Sequence, residues 1–335
     1  EYTFRPGDTI WKIAKQHTNS VNNWTEIQRI NNITKGPDRT ILPGTRIKIP
    51  ISMLKQKPIP AVVIAVSGDA KVIRANGDSE KIEVGNELFS GDRVITTENQ
   101  SLRMQFADKS ELQVLANSEV ILDKLSYHKK TGMVDTRVRL QQGRVNTWVE
   151  KLKPKSRYQI QTPAAVTAVR GTSYRLVSDA NKISRAEVTE GLVGVSAEGK
   201  TQQVKSGFGL VVEKGKPPPE PVKLLSAPDI SDNQSSAYGQ LSLSWTQLDG
   251  AAQYRVQLAT DENFDRVLLN RSTHETRLEV DELAAGQYFL RVRGIDIFQL
   301  EGLNAIRSYR IAKAPENHGS AEKVIIPSGM LILGQ

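Results

Sequence analysis

The chain has 335 residues, of which 38% are hydrophobic and 24% are charged, a balance typical of folded globular protein. At about 150 residues per domain, this length predicts two or three domains. Cysteine is absent, which excludes disulfide bonds, thiolate metal sites and cysteine nucleophiles. The net charge of +8 is unevenly spread: residues 1–220 carry 34 basic and 23 acidic side chains, whereas residues 221–335 carry 11 and 14. The basic part suits an anionic partner, or it is simply a solvated surface.

Three further features bear on cofactors and location. The chain begins at Glu1 rather than Met, so we expect a secretory signal peptide to have been removed. The apolar run at residues 324–333 contains Pro327 and Gly329 and is shorter than the roughly 20 residues of a membrane span, so no transmembrane segment is expected. The histidines lie far apart in the sequence, and we expect no metal or other cofactor. They are His17, His128, His274 and His318.

Residues 1–52 show the pattern of a small unit made of a strand, two helices and a strand. Asp8 or Thr9 can cap a first helix, whose inner face carries apolar residues at helical spacing. Asn23 and Glu26 resemble a capping box at the start of a second helix. The sequence RIKIP then closes the unit as a short alternating strand.

Two proline-rich segments, residues 53–60 and 214–221, are predicted linkers. Between them, residues 61–213 contain short alternating runs such as SLRMQF and YQIQT, separated by Gly, Asp and Asn. This pattern predicts an all-β roll or sandwich. Residues 222–312 contain alternating runs, one with an early Trp and one with a late Tyr, which predict an immunoglobulin-like sandwich. The tail, residues 313–335, has no clear period.

The first unit resembles the LysM family in three blocks that follow one another in order, YTFRPGDTIWKIAKQ, IQRINNI and ILPGTRIKIP. The resemblance implies a βααβ fold and binding of the N-acetylglucosamine-containing glycan of peptidoglycan. It also implies a shallow groove between the loop after the first strand and the loop before the last strand. By motif position, the groove would be lined by Gly7, Asp8, Thr9 and Ile10 on one side and by Asn32, Ile33, Ile41, Leu42 and Pro43 on the other. An N-acetylated sugar is neutral and has an apolar ring face, so exposed backbone groups and small aliphatic surfaces suit it better than charges.

Each of these residues also has a structural interpretation. Gly7 can permit a turn, Asp8 can cap a helix, and Pro43 can set the entry to the last strand. For Asn31 and Gly44 we favour a structural role. We favour sugar contact for Thr9, Ile10, Ile33 and Leu42.

The other two units also have resemblances. Residues 62–196 resemble the FecR domain in segments that include VSGDAKV, LQQGRV, YQIQTPAAVTAVRGTSYRLV and AEVTEGLVGV. That family is named after an iron-transport regulator that crosses the inner membrane and signals to a sigma factor through a cytoplasmic N-terminus. The LysM unit stands in that place here, so the resemblance implies only a periplasmic β domain. The third unit resembles a fibronectin type III module in LSLSWTQLDGAAQYRVQLATDENF and LAAGQYFLRVRGID. The expected fold class is therefore multidomain and mainly β.

Other clusters were candidates for sites. Arg170-Gly171-Thr172 and Asp108-Lys109-Ser110 fit turns and strand entries better than reactive constellations. The acidic group at residues 261–265 fits a solvated turn better than a calcium site. A basic stretch is a candidate for a second binding surface, but it lacks the interleaved aromatic residues of proteins that bind single-stranded nucleic acid. It consists of Lys129, Lys130, Arg137, Arg139, Arg144, Lys151, Lys153, Lys155 and Arg157.

We therefore expect a non-catalytic periplasmic protein of a Gram-negative bacterium, anchored to the cell wall through LysM, whose β domains contact other envelope proteins. One LysM module binds weakly, so a homo-oligomer or a multi-copy complex is also expected, and nucleic acid is not. Two alternatives remain open: a subunit of a ring or collar around a flagellar, pilus or secretion machine, and an envelope sensor or regulator. A peptidoglycan-processing enzyme would need a histidine cluster, a cysteine or a glutamate in a helical cleft domain, and no segment supplies these.

Overall fold

A computed structural model describes residues 1–34, 36–55, 57–128, 132–154, 156–169, 171–231 and 239–312. These residues form three domains, each with a hydrophobic core of its own. Strands greatly outnumber helices in the described part of the chain, which confirms the predicted mainly β, multidomain class. The predicted tail at residues 313–335 lies outside the described residues.

The first domain packs two helices against a two-stranded antiparallel sheet. Its elements are β1 (Tyr2–Thr3), α1 (Ile10–His17), a 3-10 turn (Val21–Asn23), α2 (Trp24–Ile30), β2 (Arg46–Ile47) and a second 3-10 turn (Ile51–Met53). Apolar side chains at helical spacing in α1, together with others from α2, β2 and the loops, meet in one core. The buried members are Phe4, Ile10, Ile13, Ala14, Ile27, Ile41 and Ile47.

The two helices begin differently. Thr9 precedes α1 in an extended conformation, and its Oγ1 accepts a hydrogen bond from the backbone N–H of Lys12 at 3.1 Å, as expected of an N-cap. Asn23 precedes α2 but makes no side-chain capping hydrogen bond, so the predicted capping box is wrong. Its Nδ2 instead donates to Asn19 Oδ1 at 2.8 Å, and Glu26 pairs with Arg29 one turn later.

Within the described residues, the second domain has eighteen strands, of which seventeen form two layers. They are β3 (Lys57–Pro58), β4 (Ala61–Ser67), β5 (Lys71–Ile73), β6 (Ser79–Lys81), β7 (Glu87–Leu88), β8 (Arg93–Thr96), β9 (Ser101–Gln105), β10 (Glu111–Val114), β11 (Ser118–His128), β12 (Met133–Val149), β13 (Arg157–Gln161), β14 (Val166–Val169), β15 (Thr172–Ser178), β16 (Ile183–Glu190), β17 (Leu192–Ala197), β18 (Lys200–Lys205), β19 (Phe208–Glu213) and β20 (Val222–Lys223). One layer has the order β6-β5-β8-β11-β12-β13-β14-β17-β18. The other has the order β7-β4-β9-β10-β12-β15-β16-β19-β20. The remaining strand, β3, pairs along β11.

The long strand β12 belongs to both layers. Up to Gln142 it pairs with β11, and from Gly143 onwards it pairs with β15. Gly143 has a φ of +102°, and a Cβ at this position would lie 2.5 Å from Ser118 Cα. A glycine is therefore required where the strand passes from one layer to the other. The alternating residues Leu102, Met104 and the neighbouring Phe106 are buried between the layers, as their spacing predicts.

The first predicted linker, residues 53–60, is largely absorbed into folded structure. Leu54 forms a β-bridge with Thr18, and Lys55 Nζ donates to Lys15 O at 2.6 Å, so this end packs on the first domain. Two residues later, β3 pairs with β11 of the second domain. Strand β3 is thus hydrogen-bonded to the second domain, although its residues lie within the predicted linker.

The third domain is a sandwich of two antiparallel sheets. Its strands are β21 (Leu241–Ser244), β22 (Gln253–Ala259), β23 (Val267–Thr273), β24 (Arg277–Val280), β25 (Gly286–Ile295) and β26 (Ala305–Ile311). One sheet pairs β21 with β24, and the other has the order β23-β22-β25-β26. Trp245 and Tyr254 pack in the core between the sheets, with ring centroids 5.7 Å apart.

The second and third domains are in direct contact, rather than separated by the spacer predicted at residues 214–221. After that segment, β20 pairs with β19 and so still belongs to the second domain. Leu225 then accepts a hydrogen bond from the N–H of Leu303 at 2.9 Å, which ties the segment to the third domain. Because the connection is short and hydrogen-bonded at both ends, the domains are held against each other.

One part of this interface is formed by the turn between β22 and β23. Asp265 Oδ2 accepts from Arg103 Nη2 at 2.5 Å, and Asp265 O accepts from Ser101 Oγ at 3.1 Å. Gln113 Nε2 donates to Phe264 O at 2.9 Å. The solvated turn predicted for residues 261–265 is therefore wrong for Asp265, whose side chain is 13% exposed.

A second part is centred on Glu301 of the third domain, whose side chain is 2% exposed. Its carboxylate accepts from Arg144 of the second domain and from Arg255 and Arg293 of the third. Burial opposes ionisation of this carboxyl, but the surrounding guanidinium groups hold the pKa of Glu301 well below its usual range. This part of the interface thus consists of charged, hydrogen-bonded side chains rather than apolar ones.

Arg175 and Glu187 of the second domain extend the same network. They form an ion pair at 2.5 Å and are 8% and 1% exposed. Arg175 Nη2 also donates to the carbonyl oxygens of Glu301 at 2.5 Å and Gly302 at 2.8 Å, while Glu187 accepts from the backbone N–H of Glu301 at 2.7 Å. Side chains of the second domain therefore hydrogen-bond to the backbone of the third domain at residues 301 and 302.

Candidate glycan-binding site

The first loop of the predicted groove follows β1. Asp8 Oδ2 accepts from Tyr2 Oη at 2.7 Å and from the backbone N–H of Arg5 at 2.8 Å. Burial opposes ionisation, but these hydrogen bonds outweigh it and lower the pKa of Asp8. Gly7 is exposed, has a φ of +83°, and has no atom within 4 Å of where a Cβ would lie. Asp8 therefore holds the loop in shape, whereas Gly7 keeps its surface open.

The next two residues are turned inward. Thr9 is 7% exposed and its hydroxyl caps α1, and Ile10 is fully buried in the core. The side chain of Ile10 belongs to the same core cluster as Phe4, Ile13 and Ile27, so the predicted contact of Ile10 with sugar remains a prediction for its backbone. Thr9 and Ile10 shape the groove from beneath, and a ligand would meet their backbone rather than their side chains.

The second loop runs from the end of α2 to β2. Asn32 is exposed and has a φ of +50°, a left-handed conformation that Asn tolerates better than most residues. Ile33 is half-buried and packs on the edge of the core, while Ile41 is 9% exposed and faces inward. Leu42, by contrast, is 75% exposed, and Pro43 beside it is exposed as well. The accessible surface on this side is thus Asn32, part of Ile33, Leu42 and Pro43.

The two loops are held side by side by backbone contacts. Thr9 and Thr40 form an antiparallel β-bridge, and the backbone N–H of Trp11 donates to Pro37 O at 3.1 Å. Gly44 N donates to Phe4 O at 2.8 Å and fixes the far end of the second loop. The sequence patterns did not identify Thr40 and Pro37 as groove residues, because they lie in the polar run TKGPDRT without a distinctive motif.

The side-chain amide of Asn31 links the two ends of this region by hydrogen bonds. Its Nδ2 donates to Lys48 O at 2.7 Å and its Oδ1 accepts from Lys48 N at 2.7 Å, while Nδ2 also donates to Ile27 O at 2.8 Å. The amide therefore ties the end of α2 to the strand that follows the second loop. This is the structural role favoured for Asn31 from its position at the end of the helix.

This geometry offers an open surface. Leu42 and Pro43 present apolar area at one side, whereas at the other Lys12 Nζ donates to Gly7 O at 3.1 Å and the carboxylate of Asp8 is engaged within its own loop. A neutral amide-bearing ring with one apolar face is complementary to the apolar side of this surface.

Among its described residues, the basic stretch predicted at residues 129–157 contains three arginines that pair with carboxylates. Arg137 pairs with Asp135 and Arg139 pairs with Asp123, while Arg144 points into the interface with the third domain. Lys151, Lys153 and Arg157 are exposed. Lys129, Lys130, Lys155 and Arg170 lie outside the described residues.

The other predicted constellation is a turn. Asp108 Oδ1 accepts from the backbone N–H of Ser110 at 3.0 Å, and burial raises the pKa of Asp108. Lys109 adopts a φ of +70° between them. Within the described ranges, no three His, Asp or Glu side chains are grouped so as to hold a metal ion. The helices described are also too short to cross a membrane.

Two family models match parts of the chain: the LysM domain at residues 2–50 and the FecR protein at residues 92–194. None of the curated proteins compared with the chain matches it. Among solved structures, a protein proposed to be an anti-sigma factor from Parabacteroides distasonis is 14% identical, with a TM-score of 0.32, over 39% of this chain. The chain spans 58% of the length of that structure.

Two other solved structures are similar over different parts of the chain. A segment of two fibronectin type III domains from chicken tenascin is 15% identical, with a TM-score of 0.23, over 42% of this chain and 98% of its own. A β-1,2-glucanase from Parabacteroides distasonis is 9% identical, with a TM-score of 0.22, over 76% of this chain and 37% of its own. From the two family matches, the chain contains a LysM domain at residues 2–50 and a FecR segment at residues 92–194.

Proposed function

We propose that this chain is a non-catalytic periplasmic protein that binds the N-acetylglucosamine-containing glycan of peptidoglycan through the groove of its first domain. The observation that carries this proposal is the β-bridge between Thr9 and Thr40, which sets the two loops of the LysM domain side by side. Leu42 and Pro43 then stand exposed on one side, where the apolar face of a sugar ring would pack.

The contacts divide by chemical type. The side chains of Leu42 and Ile33 offer aliphatic area to the ring and to the acetyl methyl group. The exposed backbone around Gly7 and Asn32 offers partners for the acetamido group and the hydroxyls. Thr9, Ile10 and Ile41 support these surfaces from the core and make no side-chain contact with the glycan.

The proposal is tested by co-sedimentation of the purified chain with insoluble peptidoglycan over a range of peptidoglycan concentrations. We expect Leu42→Asp to weaken binding at least about tenfold, since it removes about 1.4 kcal/mol or more of apolar contact and adds a charge beside a neutral ligand. Ile297→Asp is the matched control, because Ile297 is 76% exposed in the third domain and Leu42 is 75% exposed.

Three results would contradict the proposal. The unmodified chain could fail to sediment with peptidoglycan, L42D could sediment as well as the unmodified chain, or I297D could lose as much binding as L42D. Addition of tetra-N-acetylglucosamine should release the unmodified chain, and failure of this competition would show that retention does not depend on the sugar.

The second and third domains are proposed to act as one body that presents surfaces to other envelope proteins. The interface around Glu301 and Arg175 supports this proposal, because it holds the two domains against each other. A single weak glycan site gains useful retention when several copies act together, so a homo-oligomer or a multi-copy complex accompanies the proposal. An alternative form of this proposal is that the chain is a structural subunit of a ring or collar around a flagellar, pilus or secretion machine.

A second candidate function is that of an envelope sensor or regulator, and the match of the FecR model to residues 92–194 favours it. The two functions are distinguished by deleting the gene and comparing transcripts with the composition of cross-linked envelope complexes. Deletion of a regulator would change a defined set of transcripts and leave envelope assemblies intact. Deletion of a scaffold would change the composition of envelope assemblies and leave transcripts unchanged.

A further inference from the structure

A cleft of about 450 Å³ lies along the seam between the second and third domains. Its walls come from the strand after Gly143 and from β15 on one side, and from β22, β23 and the residues around Glu301 on the other. This volume is in the range of sites for small ligands, and a seam between two domains is a common place for such sites. The cleft is separate from the glycan groove of the first domain.

The walls of this cleft carry an excess of positive charge. The cationic side chains that line it are Arg144, Arg175, Arg185, Arg255 and Arg293. Its carboxylates are Asp179, Glu187 and Glu301. The lining therefore holds two more cations than anions. Uncompensated charge costs free energy where water is restricted, so the excess needs an explanation.

Two of the arginines are fully paired within the protein. Arg185 pairs with Asp179 at 2.8 Å, and Arg175 pairs with Glu187 at 2.5 Å. With these pairs set aside, the three remaining guanidinium groups converge on the carboxylate of Glu301 alone. The two excess positive charges therefore belong to this group of three.

The three arginines around Glu301 differ in how far their donors are used. Arg293 is 4% exposed and donates to Glu301, Asn304 and Gln257. Arg144 and Arg255 are 33% and 20% exposed, and within the described residues the side chain of each makes one hydrogen bond, to Glu301 Oε1. A guanidinium carries five N–H donors, so most donors of these two groups remain available to the cleft.

The pKa directions differ among the three arginines, because for Arg144 burial is outweighed by Glu301 and Glu187, which raise its pKa. Burial lowers the pKa of Arg255, and Glu301 opposes this change while Arg144 reinforces it. Burial, followed by the charge of Arg175, lowers the pKa of Arg293 to about 10. A pKa of about 10 leaves Arg293 protonated at neutral pH.

We propose that this cleft binds a small dianion whose oxyanion groups pair with the guanidinium groups of Arg144 and Arg255. Planar arginine donors match the two oxygens of a carboxylate or a phosphate, and two charges on the ligand balance the two excess cations. The amides of Asn270 and Gln299 in the same lining supply neutral partners for the rest of the ligand. A ligand held there would contact both domains at once. This proposal does not depend on glycan binding by the first domain.

The test is isothermal titration calorimetry of the full chain at pH 7 with inorganic phosphate and, separately, with succinate, at matched ionic strength. Acetate serves as the monoanion control. We expect one saturable site per chain, with at least one of the two dianions binding at least about tenfold more tightly than acetate. The stronger of the two shows whether the site prefers phosphate or carboxylate chemistry.

Substitutions locate the site. Arg144→Gln and Arg255→Gln should each weaken dianion binding at least about tenfold, because each removes one charge and one planar set of donors. Arg277→Gln is the matched control, since Arg277 is in the same domain as Arg255 and is 81% exposed outside the cleft. If R144Q or R255Q alters thermal unfolding, the arginine Nε–Hε NMR signals of the unmodified chain are followed during the titration instead, and the signals of Arg144 and Arg255 should shift.

The proposal is overturned if neither dianion binds more tightly than acetate, or if R144Q and R255Q bind the dianion as the unmodified chain does. It is also overturned if binding occurs while the NMR signals of both arginines stay in place. In each of these cases the arginines would serve only to attach the third domain to the second.

Discussion

Replacement of Glu301 by Gln tests whether the ionic network holds the third domain in place. The substitution keeps the size of the side chain but removes the negative charge that three guanidinium groups share. Removing one partner from a buried charged pair costs about 3–5 kcal/mol. Arg144 is 33% exposed and can turn partly towards water, so we expect a value near the lower end, about 3 kcal/mol.

Hydrogen exchange measured by mass spectrometry reports this loss by segment. Amides of β22 and β25 exchange through opening of the third domain, so a loss of about 3 kcal/mol should speed their exchange roughly a hundredfold. Glu275→Gln is the control, because Glu275 forms an exposed pair with Arg277 at 3.7 Å and such pairs contribute under about 1 kcal/mol. If E301Q changes the exchange of β22 and β25 by no more than E275Q does, the network does not stabilise the third domain.

Three further predictions concern other parts of the chain. Asn31→Ala should destabilise the first domain by about 1–3 kcal/mol in thermal unfolding, because Lys48 loses two hydrogen-bond partners. Gly143→Ala should cost about 2–5 kcal/mol, since a Cβ would lie 2.5 Å from Ser118 Cα, whereas Gly77→Ala, with a similar φ and open space around it, should cost only about 1–2 kcal/mol. For Asp135, burial opposes ionisation, but Lys124 and Arg137 lower its pKa. Its stabilising effect is therefore present above the unfolded pKa of about 3.9 and is lost as pH falls through the lower folded value, so the difference in stability between the unmodified chain and Asp135→Asn should shrink below pH 4.

The sequence predicted the inside of each domain better than the contacts between domains. Alternation places Leu102, Met104, Tyr254 and Val256 in cores, and they are buried there. A period of two determines which side chains face inward, because one face of a sheet must be covered. The N-cap of α1 was predicted as Asp8 or Thr9, and Thr9 is the residue whose hydroxyl caps the helix.

The same alternation cannot show that the outer face of a sheet is covered by another domain. Arg255, Gln257, Arg291 and Arg293 alternate with core residues in β22 and β25, a pattern typical of a solvent-exposed face. Yet Gln257, Arg291 and Arg293 are only 3–6% exposed, because the second domain packs over them. Recognition of this interface requires the structure, since the charged partners lie more than a hundred residues apart.

In the candidate site, the residues that the family motif assigns to the groove are not all exposed. The family blocks place the two loops in the sequence, but they do not distinguish a groove residue that faces the ligand from one that faces the core. Ile10 and Ile41 belong to those blocks and are buried, whereas Leu42, next to Ile41, is 75% exposed. Local chain direction at a loop decides this difference, and hydrophobicity alone does not.

The most direct test of glycan binding is an NMR titration of the isotope-labelled chain with tetra-N-acetylglucosamine. The amide signals of Gly7, Asn32 and Leu42 should move in a saturable way, with smaller changes at Thr9 and Thr40, where the two loops meet. Signals of the second and third domains should stay in place. Absence of any shift in the first domain, or saturable shifts confined to the other two domains, would contradict the proposal that the LysM groove binds the glycan.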